Sequence, residues 1–284
     1  MEVLKTSQAL KREIDRLKAQ KKKIGFVPTM GFLHEGHLSL VRAAKKESDI
    51  VISSLFVNPL QFGPKEDFKR YPRNFRRDSL LLKKTGVDFL FAPDAADLYP
   101  TDFQTAVSVS RVSLPLCGRS RPTHFAGVTT VVLKLLNLVR PDILYLGQKD
   151  FQQVRVIEQM IEDLDLGVRV RRMPTVREAD GLAMSSRNVL LSENERREAL
   201  SLSKALKKTG QAILSGVRDA KTAQQILQKG LKEASSGRVD YAEIVDAKTL
   251  APVVKLHPGD RVLVAVAVFF SKTRLIDNLL VKVG

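Results

Sequence analysis

The sequence is poor in the residues that build several common kinds of site. It holds one cysteine, Cys117, and four histidines among 284 residues. One cysteine excludes an intramolecular disulfide, and two closely spaced histidines without a third ligand at suitable spacing do not favour zinc. Residues 1–12 have no uninterrupted apolar core like that of a secretory signal, and no run approaches the roughly 20 apolar residues of a membrane span. These absences predict a cytoplasmic protein with no membrane partner.

Aromatic residues are scarce as well, at 6% of the chain, and no helix-turn-helix, RNA-recognition or zinc-finger pattern is present. Lysine and arginine nevertheless number 47 against 31 aspartates and glutamates, which gives a net charge of +16. Such a surplus attracts phosphate- or carboxylate-bearing substrates and would equally suit a nucleic-acid binder. Because the basic residues are spread over several segments, we expect most of them to form a solvated surface and predict no nucleic-acid partner.

The pattern of apolar residues predicts two domains. Up to about residue 175, short apolar runs alternate with segments of helical spacing. The candidate strands cover 24–27, 50–57, 88–92, 143–146 and 168–173, and the candidate helices 38–46, 77–84, 129–139 and 151–164. This alternation predicts an α/β fold, a Rossmann-like doubly wound parallel sheet, over residues 1–175. A capping box at Ser192 and Glu195 and strands at 240–245, 261–270 and 275–281 predict a smaller α+β domain over residues 176–284.

The sequence His34-Glu35-Gly36-His37 lies between a predicted strand and a predicted helix. Free backbone N–H groups and the positive end of the helix dipole point outward at such a helix start, and Gly31 and Gly36 let a ligand approach the backbone closely. Histidines three residues apart lie on one helix face, so both rings are placed to hydrogen-bond oxygens of one phosphate. The alternative is that both histidines are ordinary polar residues that cap the helix.

Polar groups follow two further predicted strands. Asn58 and Gln61 come after the second strand, and Gly147-Gln148-Lys149-Asp150 follows the fourth. Ligands of an open parallel sheet bind outside the carboxyl ends of its strands, so these groups are expected to line one crevice. Together with Met184-Ser185-Ser186-Arg187 in a later loop, they indicate ATP chemistry. Taken alone, the later loop that contains Met184 to Arg187 is typical of an ordinary surface loop.

A series of segments covering most of residues 24–192 resembles one family in order and spacing. These are Pro28-Thr29-Met30-Gly31, His34-Glu35-Gly36-His37, Phe56 to Phe62, Tyr71-Pro72-Arg73, Arg121 to Val128, Gly147 to Asp150 and Thr175 to Asn188. They are similar to the pantothenate synthetases. The H-x-G-H element alone would indicate only the wider nucleotidyltransferase superfamily, which includes class I aminoacyl-tRNA synthetases.

The resemblance implies an ATP-dependent ligase that joins (R)-pantoate to β-alanine. The products would be pantothenate, AMP and pyrophosphate, formed through an enzyme-bound pantoyl adenylate. It also implies ATP as co-substrate, Mg²⁺ as cofactor and a homodimer. Residues 1–175 would bind nucleotide and pantoate, and residues 176–284 would form a lid that excludes water from the adenylate.

The resemblance further assigns site residues. The catalytic residues would be His34, His37 and Lys149, with His37 as proton donor and Lys149 as a point charge for the phosphates. ATP would be bound by Met30, Gly31, Phe32, Leu33, His34, Glu35, Gly36, His37, Gly147, Gln148, Lys149, Asp150, Val176, Met184, Ser185, Ser186 and Arg187, with Ser185 to Arg187 holding the β- and γ-phosphates.

Two glutamines resemble the pantoate-binding pair, Gln61 and Gln153, and Gln61 also borders the β-alanine site. Asp78 is the nearest match to a family position associated with the metal. Because Arg76 and Arg77 stand beside it in a stretch that is often more acidic in relatives, a metal ion held mainly by ATP and water is the alternative. Asp150 would accept hydrogen bonds from the ribose, or would cap the helix predicted from residue 151.

Two other functions remain as alternatives. One is a related nucleotidyltransferase that keeps its nucleotidyl product, which β-alanine-dependent release of AMP would distinguish. The other is a nucleic-acid binder on an adenylyltransferase fold, which predicts salt-sensitive binding to RNA or DNA without any need for His34 or His37.

Overall fold

The computed structural model describes residues 1–64 and 66–284, which form two compact units. The first unit contains Met1–Val109, Arg121–Gln148 and Val156–Pro174, and the second contains Ser110–Ser120, Lys149–Arg155 and Thr175–Gly284. Two short early segments thus belong to the second unit, and its main stretch begins next to the predicted boundary. The roles assigned to the two domains, binding of nucleotide and pantoate in one and lid in the other, stay predictions.

Within the described residues, a six-stranded parallel sheet forms the centre of the first unit. Its strands are β1 (Glu2–Leu4), β2 (Ile24–Thr29), β3 (Ile50–Leu55), β4 (Phe89–Phe91), β5 (Ile143–Gly147) and β6 (Arg169–Met173), in the order β1-β4-β3-β2-β5-β6. Successive side chains of a strand face opposite sides, and Ile24 to Val27 are all buried, so both faces of β2 are covered. The predicted doubly wound α/β class is confirmed. The pattern does not predict β1, because three residues are too few for a period to show.

The helices are α1 (Ser7–Ala19), α2 (Glu35–Glu47), α3 (Phe75–Thr85), α4 (Ala95–Leu98), α5 (Cys117–Ser120), α6 (His124–Val139), α7 (Phe151–Asp163), α8 (Glu193–Glu198), α9 (Leu200–Leu214) and α10 (Ala220–Leu231). On one face of the parallel sheet, Val41, Ala44 and Leu82 pack in one cluster with Val27, Val51 and Leu90. α2, α3 and α6 each begin before the predicted residue, because apolar spacing does not register a polar or mixed first turn. In the described part of the chain, no helix combines the length and the apolar character needed to cross a membrane.

In the described residues, the second unit contains α8, α9, α10 and an antiparallel sheet of three strands. These strands are β7 (Gly237–Asp246), β8 (Arg261–Phe270) and β9 (Thr273–Lys282), with β8 in the middle. The three predicted strands lie within these bounds, and the smaller α+β domain is confirmed. The predicted capping box forms: the N–H of Glu195 donates to Ser192 Oγ, and the N–H of Ser192 donates to Glu195 Oε2 at 2.8 Å. The core of the second unit is apolar and includes Leu206, Leu227, Val264 and Phe270.

Candidate active site

Three strand ends meet at one edge of the parallel sheet. β2 lies between β3 and β5, and all three run in the same direction. They end at Thr29, Leu55 and Gly147. The segments 30–37, 58–61 and 147–148, which carry the predicted site residues of the first unit, therefore start from neighbouring positions. This is the edge at which α/β sheets bind ligands.

The chain turns tightly between β2 and α2. Gly31 has a φ of +87° and Phe32 one of +49°, in the left-handed region that a phenylalanine rarely adopts. Asp78, in the first turn of α3, holds this turn. Its Oδ2 accepts the N–H of Phe32 at 2.6 Å, and its Oδ1 accepts the N–H of Leu33 at 2.8 Å. Because the carboxylate is only 1% exposed, these two bonds fix the direction in which the chain enters α2.

His34 and His37 together cap the N-terminus of α2. His34 Nδ1 accepts the N–H of Gly36 at 3.2 Å, and His37 Nδ1 accepts the N–H of His34 at 3.3 Å. The ring centroids lie 4.0 Å apart, with the planes inclined by 40°. The two rings occupy the places of serine and glutamate in the usual capping box. The capping alternative therefore holds, and it involves one nitrogen of each ring.

This cap determines which ring nitrogen bears the proton. A neutral imidazole donates from one nitrogen and accepts at the other. In a neutral ring whose Nδ1 accepts a backbone N–H, the proton lies on Nε2, so the cap selects this tautomer for neutral His34 and His37. In that tautomer each Nε2–H is a donor beside a helix N-terminus, where the dipole favours anions. Such a position suits phosphate oxygens.

Gln61 is buried, and neighbouring side chains orient its amide. Its Oε1 accepts from Asn58 Nδ2 at 3.1 Å, and its Nε2 lies 2.8 Å from the Met30 sulfur. Asn58 also donates to the Gly127 carbonyl and accepts from the Tyr99 hydroxyl, both at 2.9 Å. Burial raises the pKa of Tyr99, so the hydroxyl keeps the proton that it donates. The chain from Tyr99 through Asn58 therefore sets the orientation of Gln61.

The backbone at Gln61 is held separately. Its carbonyl accepts from Arg121 Nη2 at 3.1 Å and lies 2.9 Å from His124 Nδ1. Arg121 also donates from Nε to Glu66 at 2.7 Å. Burial opposes ionisation of Glu66, but the hydrogen bond and charge of Arg121 hold its pKa below the usual value. The sequence prediction placed Asn58 among the polar groups that line the crevice but did not foresee that it orients Gln61, and for Arg121 its place in a family motif was the only signal.

In the second unit, Lys149, Asp150 and Gln153 lie in one turn and at the start of α7. The Lys149 side chain is 21% exposed, and its Nζ is 3.9 Å from Asp150 Oδ1. The Lys149 carbonyl accepts from Asn278 Nδ2 at 2.8 Å. Gln153 is half-buried, whereas its neighbour Gln152 is buried and hydrogen-bonds to the backbone of segment 112–117. The turn is therefore anchored from both sides, with the Lys149 side chain partly accessible.

Residues 176–184 form a small hairpin ahead of Ser185-Ser186-Arg187. The N–H of Met184 donates to the Val176 carbonyl at 3.0 Å, and Gly181, with a φ of +95°, lies in the turn. In the next turn, the N–H of Arg187 donates to Ser185 Oγ at 3.2 Å. Ser186 is buried, and Ser185 and Arg187 are half-buried. The segment predicted to hold the β- and γ-phosphates thus follows directly from a hydrogen-bonded hairpin.

Asp78 is also the residue predicted to bind a metal. Both of its oxygens accept backbone N–H groups, and Arg77 Nη1 lies 3.4 Å from Oδ1. The described residues contain no group of three or more histidine, cysteine, aspartate or glutamate side chains that could hold a metal ion. The donors around Asp78 do not fit a magnesium ion bound directly by this carboxylate.

Comparison with known proteins gives full-length matches. The pantoate-beta-alanine ligase family model matches residues 2–280. A pantothenate synthetase from Thermotoga neapolitana is 51% identical over 98% of this chain and 99% of its own length. The crystal structure of pantothenate synthetase from Thermus thermophilus matches with a TM-score of 0.92 and 44% identity, over 98% and 99% of the two chains. The pantoate-beta-alanine ligase of Francisella tularensis, solved with beta-gamma ATP and β-alanine, matches with a TM-score of 0.81 and 35% identity, over 99% and 97%.

The doubly wound sheet, with polar groups after its central strands, places this chain among the α/β proteins, the class in which ligands bind at the carboxyl edge of the sheet. The chain belongs to the pantoate–β-alanine ligase family. It is a ligase that forms a C–N bond, joining pantoate to β-alanine in an ATP-dependent reaction. The family and the activity predicted from the sequence are confirmed.

Proposed function

We propose that the reaction proceeds through pantoyl adenylate. In the first step, a carboxylate oxygen of (R)-pantoate bonds to the α-phosphorus of ATP as the bond to the departing pyrophosphate breaks. In the second step, the amine of β-alanine attacks the acyl carbon, AMP leaves with the electron pair of the C–O bond, and the nitrogen releases a proton. The ATP and β-alanine ligands of the Francisella tularensis enzyme support these substrates.

The histidine cap is the observation that carries the residue assignment. Negative charge grows on the phosphate oxygens during adenylate formation, and donors already in place lower that barrier most. His34 and His37 offer such donors through Nε2, next to the start of α2. His37 remains the proposed proton donor for the reacting phosphate, and its Nδ1 accepts a backbone N–H of the helix start.

The remaining phosphate contacts are assigned to the second unit. Lys149 supplies a point charge, and Ser185, Ser186 and Arg187 hold the β- and γ-phosphates, for which the forked guanidinium is well suited. The adenosine part is assigned to residues 30–37, Gly147, Gln148 and Asp150, and to the backbone at Val176 and Met184.

The pantoate site is assigned to Gln61 and Gln153, and Gln61 also borders the β-alanine site. An amide both donates and accepts, which matches a substrate with a carboxylate and hydroxyl groups. The fixed orientation of Gln61 supports this assignment, because Asn58 engages its Oε1.

Magnesium is proposed to enter with ATP, held by phosphate oxygens and water, because the surroundings of Asp78 do not fit a direct ligand. It would neutralise charge on the triphosphate when bound. We further propose a cytoplasmic homodimer, for which sedimentation would give a mass twice that of one chain. A monomer at working concentrations would contradict the dimer.

A coupled assay of AMP release tests the proposal, with ATP, magnesium and (R)-pantoate in the presence and absence of β-alanine. We expect release that requires both substrates, with pantothenate identified by mass. Replacement of His37 by alanine is expected to slow adenylate formation by about 100-fold, the typical effect of removing one such donor.

The matched control for that replacement is His37→Gln. Glutamine at this position completes an ordinary capping box, so the helix start is retained without the imidazole. Slow adenylate formation in both variants would assign the effect to the ring. Because the glutamine amide also donates a hydrogen bond, near-normal turnover of His37→Gln would exclude proton transfer by the ring and leave this position the role of hydrogen-bond donor. Near-normal turnover of both variants would remove His37 from the chemistry and leave it as a cap.

A further inference from the structure

Strand β9 carries two adjacent polar side chains in the interior of the second unit. Asp277 is 3% exposed and Asn278 is 6% exposed. Buried polar groups require partners, because their desolvation is otherwise uncompensated. Each of these two side chains contacts a different segment. One segment leads directly into Ser185-Ser186-Arg187 and the other carries Lys149, all of which are proposed to bind phosphate.

Asp277 binds the hairpin 176–184. It accepts from both terminal nitrogens of Arg177, with Nη1 at 2.7 Å and Nη2 at 3.0 Å. The same Nη1 also donates to the Gly181 carbonyl at 3.1 Å. A guanidinium that meets a carboxylate with two parallel bonds has little freedom to rotate. The base and the turn of the hairpin are therefore fixed to β9 through one arginine.

Asn278 binds the Lys149 turn. Its Nδ2 donates to the Lys149 carbonyl at 2.8 Å. The bond fixes the backbone of Lys149 through its carbonyl. It does not involve the ammonium group, which stands at the end of a flexible side chain. The position of the Lys149 Cα is thus set by β9, while the ammonium retains its reach.

The two segments lie against opposite faces of the antiparallel sheet. Successive side chains of a strand point to opposite sides, about 3.4 Å apart along the strand. Leu275, Asp277 and Leu279 occupy every second position of β9 and therefore lie on the same face of the strand. Both leucines pack against the apolar core that the helices of this unit help to form. Asn278 therefore faces the other side. β9 is a rigid spacer with the hairpin on one face and the Lys149 turn on the other.

We propose that Asp277 and Asn278 are positioning residues for adenylate formation. By holding both segments to one strand, they set the spacing between the Lys149 ammonium and the side chains of 185–187, so that both groups meet the triphosphate together. This inference rests on the phosphate-binding roles proposed above. It assigns β9 a function in the reaction although neither residue touches substrate.

The test separates the two half-reactions. Pantoate-dependent exchange of labelled pyrophosphate into ATP reports adenylate formation, and reaction of prepared pantoyl adenylate with β-alanine reports the amine step. Asn278→Leu removes the donor at similar volume, and Asp277→Asn removes one charge of the pair. Both are expected to slow exchange by roughly 10- to 100-fold, as small misplacements do. The amine step should change by less than about 3-fold, since pyrophosphate has left by then.

Asp240→Asn is the matched control for the ion pair. Asp240 lies in β7 of the same sheet and accepts from Arg274 Nε at 3.0 Å and Nη2 at 2.6 Å. The substitution breaks a comparable, partly buried pair that holds no proposed phosphate segment. Should Asp277→Asn prove too unstable to purify, Arg177→Lys retains one donor and tests the same contact. Equal loss of exchange in Asp240→Asn and Asp277→Asn, at matched thermal stability, would overturn the inference.

Lys149→Met distinguishes failure of this inference from failure of the proposed function. Slow exchange in Lys149→Met with normal exchange in Asn278→Leu would overturn the positioning role alone. Unchanged exchange in Lys149→Met would overturn the phosphate role of Lys149, and the Asn278 inference with it. A uniform loss in both half-reactions of Asn278→Leu would indicate a structural role only.

Discussion

Among single residues, Asp78 holds the turn that leads into α2. It lies in α3, 45 positions from Leu33, whose N–H it accepts, and Phe32 in the same turn has a positive φ. Local sequence gives no sign of such a partner, because the contact arises only when α3 packs beside α2. The histidines, in contrast, were predicted as site residues from residue type and spacing. Their shared use of Nδ1 was not, because a motif does not specify which nitrogen faces the backbone.

We predict that Asp78→Asn lowers the rate of AMP release without changing the magnesium requirement. Asparagine retains one acceptor and turns an N–H₂ group toward the second backbone N–H. The turn loses hydrogen bonds to a charged acceptor, each worth about 1.5–3 kcal/mol, and the rate of AMP release falls roughly 10- to 100-fold. Steady-state kinetics over a magnesium titration checks both parts.

Asp142→Asn controls for that change. Asp142 Oδ2 accepts the N–H of Ile24 at 2.6 Å, at the opposite end of β2 from the ligand edge. The same chemical change there should lower stability and leave turnover near normal. A large rise in the magnesium concentration needed by Asp78→Asn would restore Asp78 as a metal ligand.

At the scale of elements, α6 packs closely against the turn at 59–61, which carries Gln61, a residue proposed to bind pantoate. Gly127 lies in the first turn of α6, and a Cβ there would lie 2.2 Å from the Leu60 carbonyl oxygen and 2.6 Å from the Gln61 nitrogen. No side chain fits between two backbones at that distance. The apolar pattern predicted α6 only from 129, so this contact was hidden in a turn that the sequence did not mark as helical.

We expect Gly127→Ala to displace the 59–61 turn and with it the Gln61 amide. The KM for pantoate should rise about 10-fold or more, and unfolding free energy should fall by roughly 1–3 kcal/mol, as for other overpacked sites. Gly167→Ala is the control, because a Cβ there has no atom within 4 Å. Pantoate kinetics and urea unfolding of both variants measure the effects. Normal pantoate kinetics in Gly127→Ala would contradict the assignment of Gln61 to pantoate binding.

At the scale of the whole molecule, the fold class was predictable because strands and helices alternate up to residue 175. Which chain segments belong to each of the two units was not predictable. Segments 110–120 and 149–155 belong with the C-terminal part, through contacts such as those of Asn278 Nδ2 with the Lys149 carbonyl and of Ser120 Oγ with Asp240. Apolar periodicity describes each element separately and contains no information on which distant element it joins.

The net charge makes acid stability a property of the whole molecule. The pKa of Glu47 is lowered by its hydrogen bond from Arg171, and that of Glu195 by hydrogen bonds from Ser271 and Ser192. The pKa of Glu66 is lowered as well, against its burial. A carboxyl with a lower pKa in the folded state binds fewer protons than in the unfolded state, so it stabilises the fold above its unfolded pKa.

We therefore predict that the melting temperature falls as pH drops below about 4.5, the ordinary range of these glutamates. Protonation then removes the ion pairs and adds to a charge that is already +16. Thermal unfolding between pH 7 and pH 3 measures the trend, and Glu66→Gln should lose less stability over this interval than the parent chain. A melting temperature that is flat across the interval would contradict the prediction.

The histidine cap has a consequence for turnover as well as for catalysis. Each ring has its Nδ1 bound to the start of α2, so at most the other nitrogen of each ring can face the triphosphate that we propose it binds. Hydrogen bonds from neutral groups are weaker than those from cations. In their neutral form, the proposed donors would stabilise the charge that develops on pyrophosphate and would hold the departed product less tightly than cationic donors would.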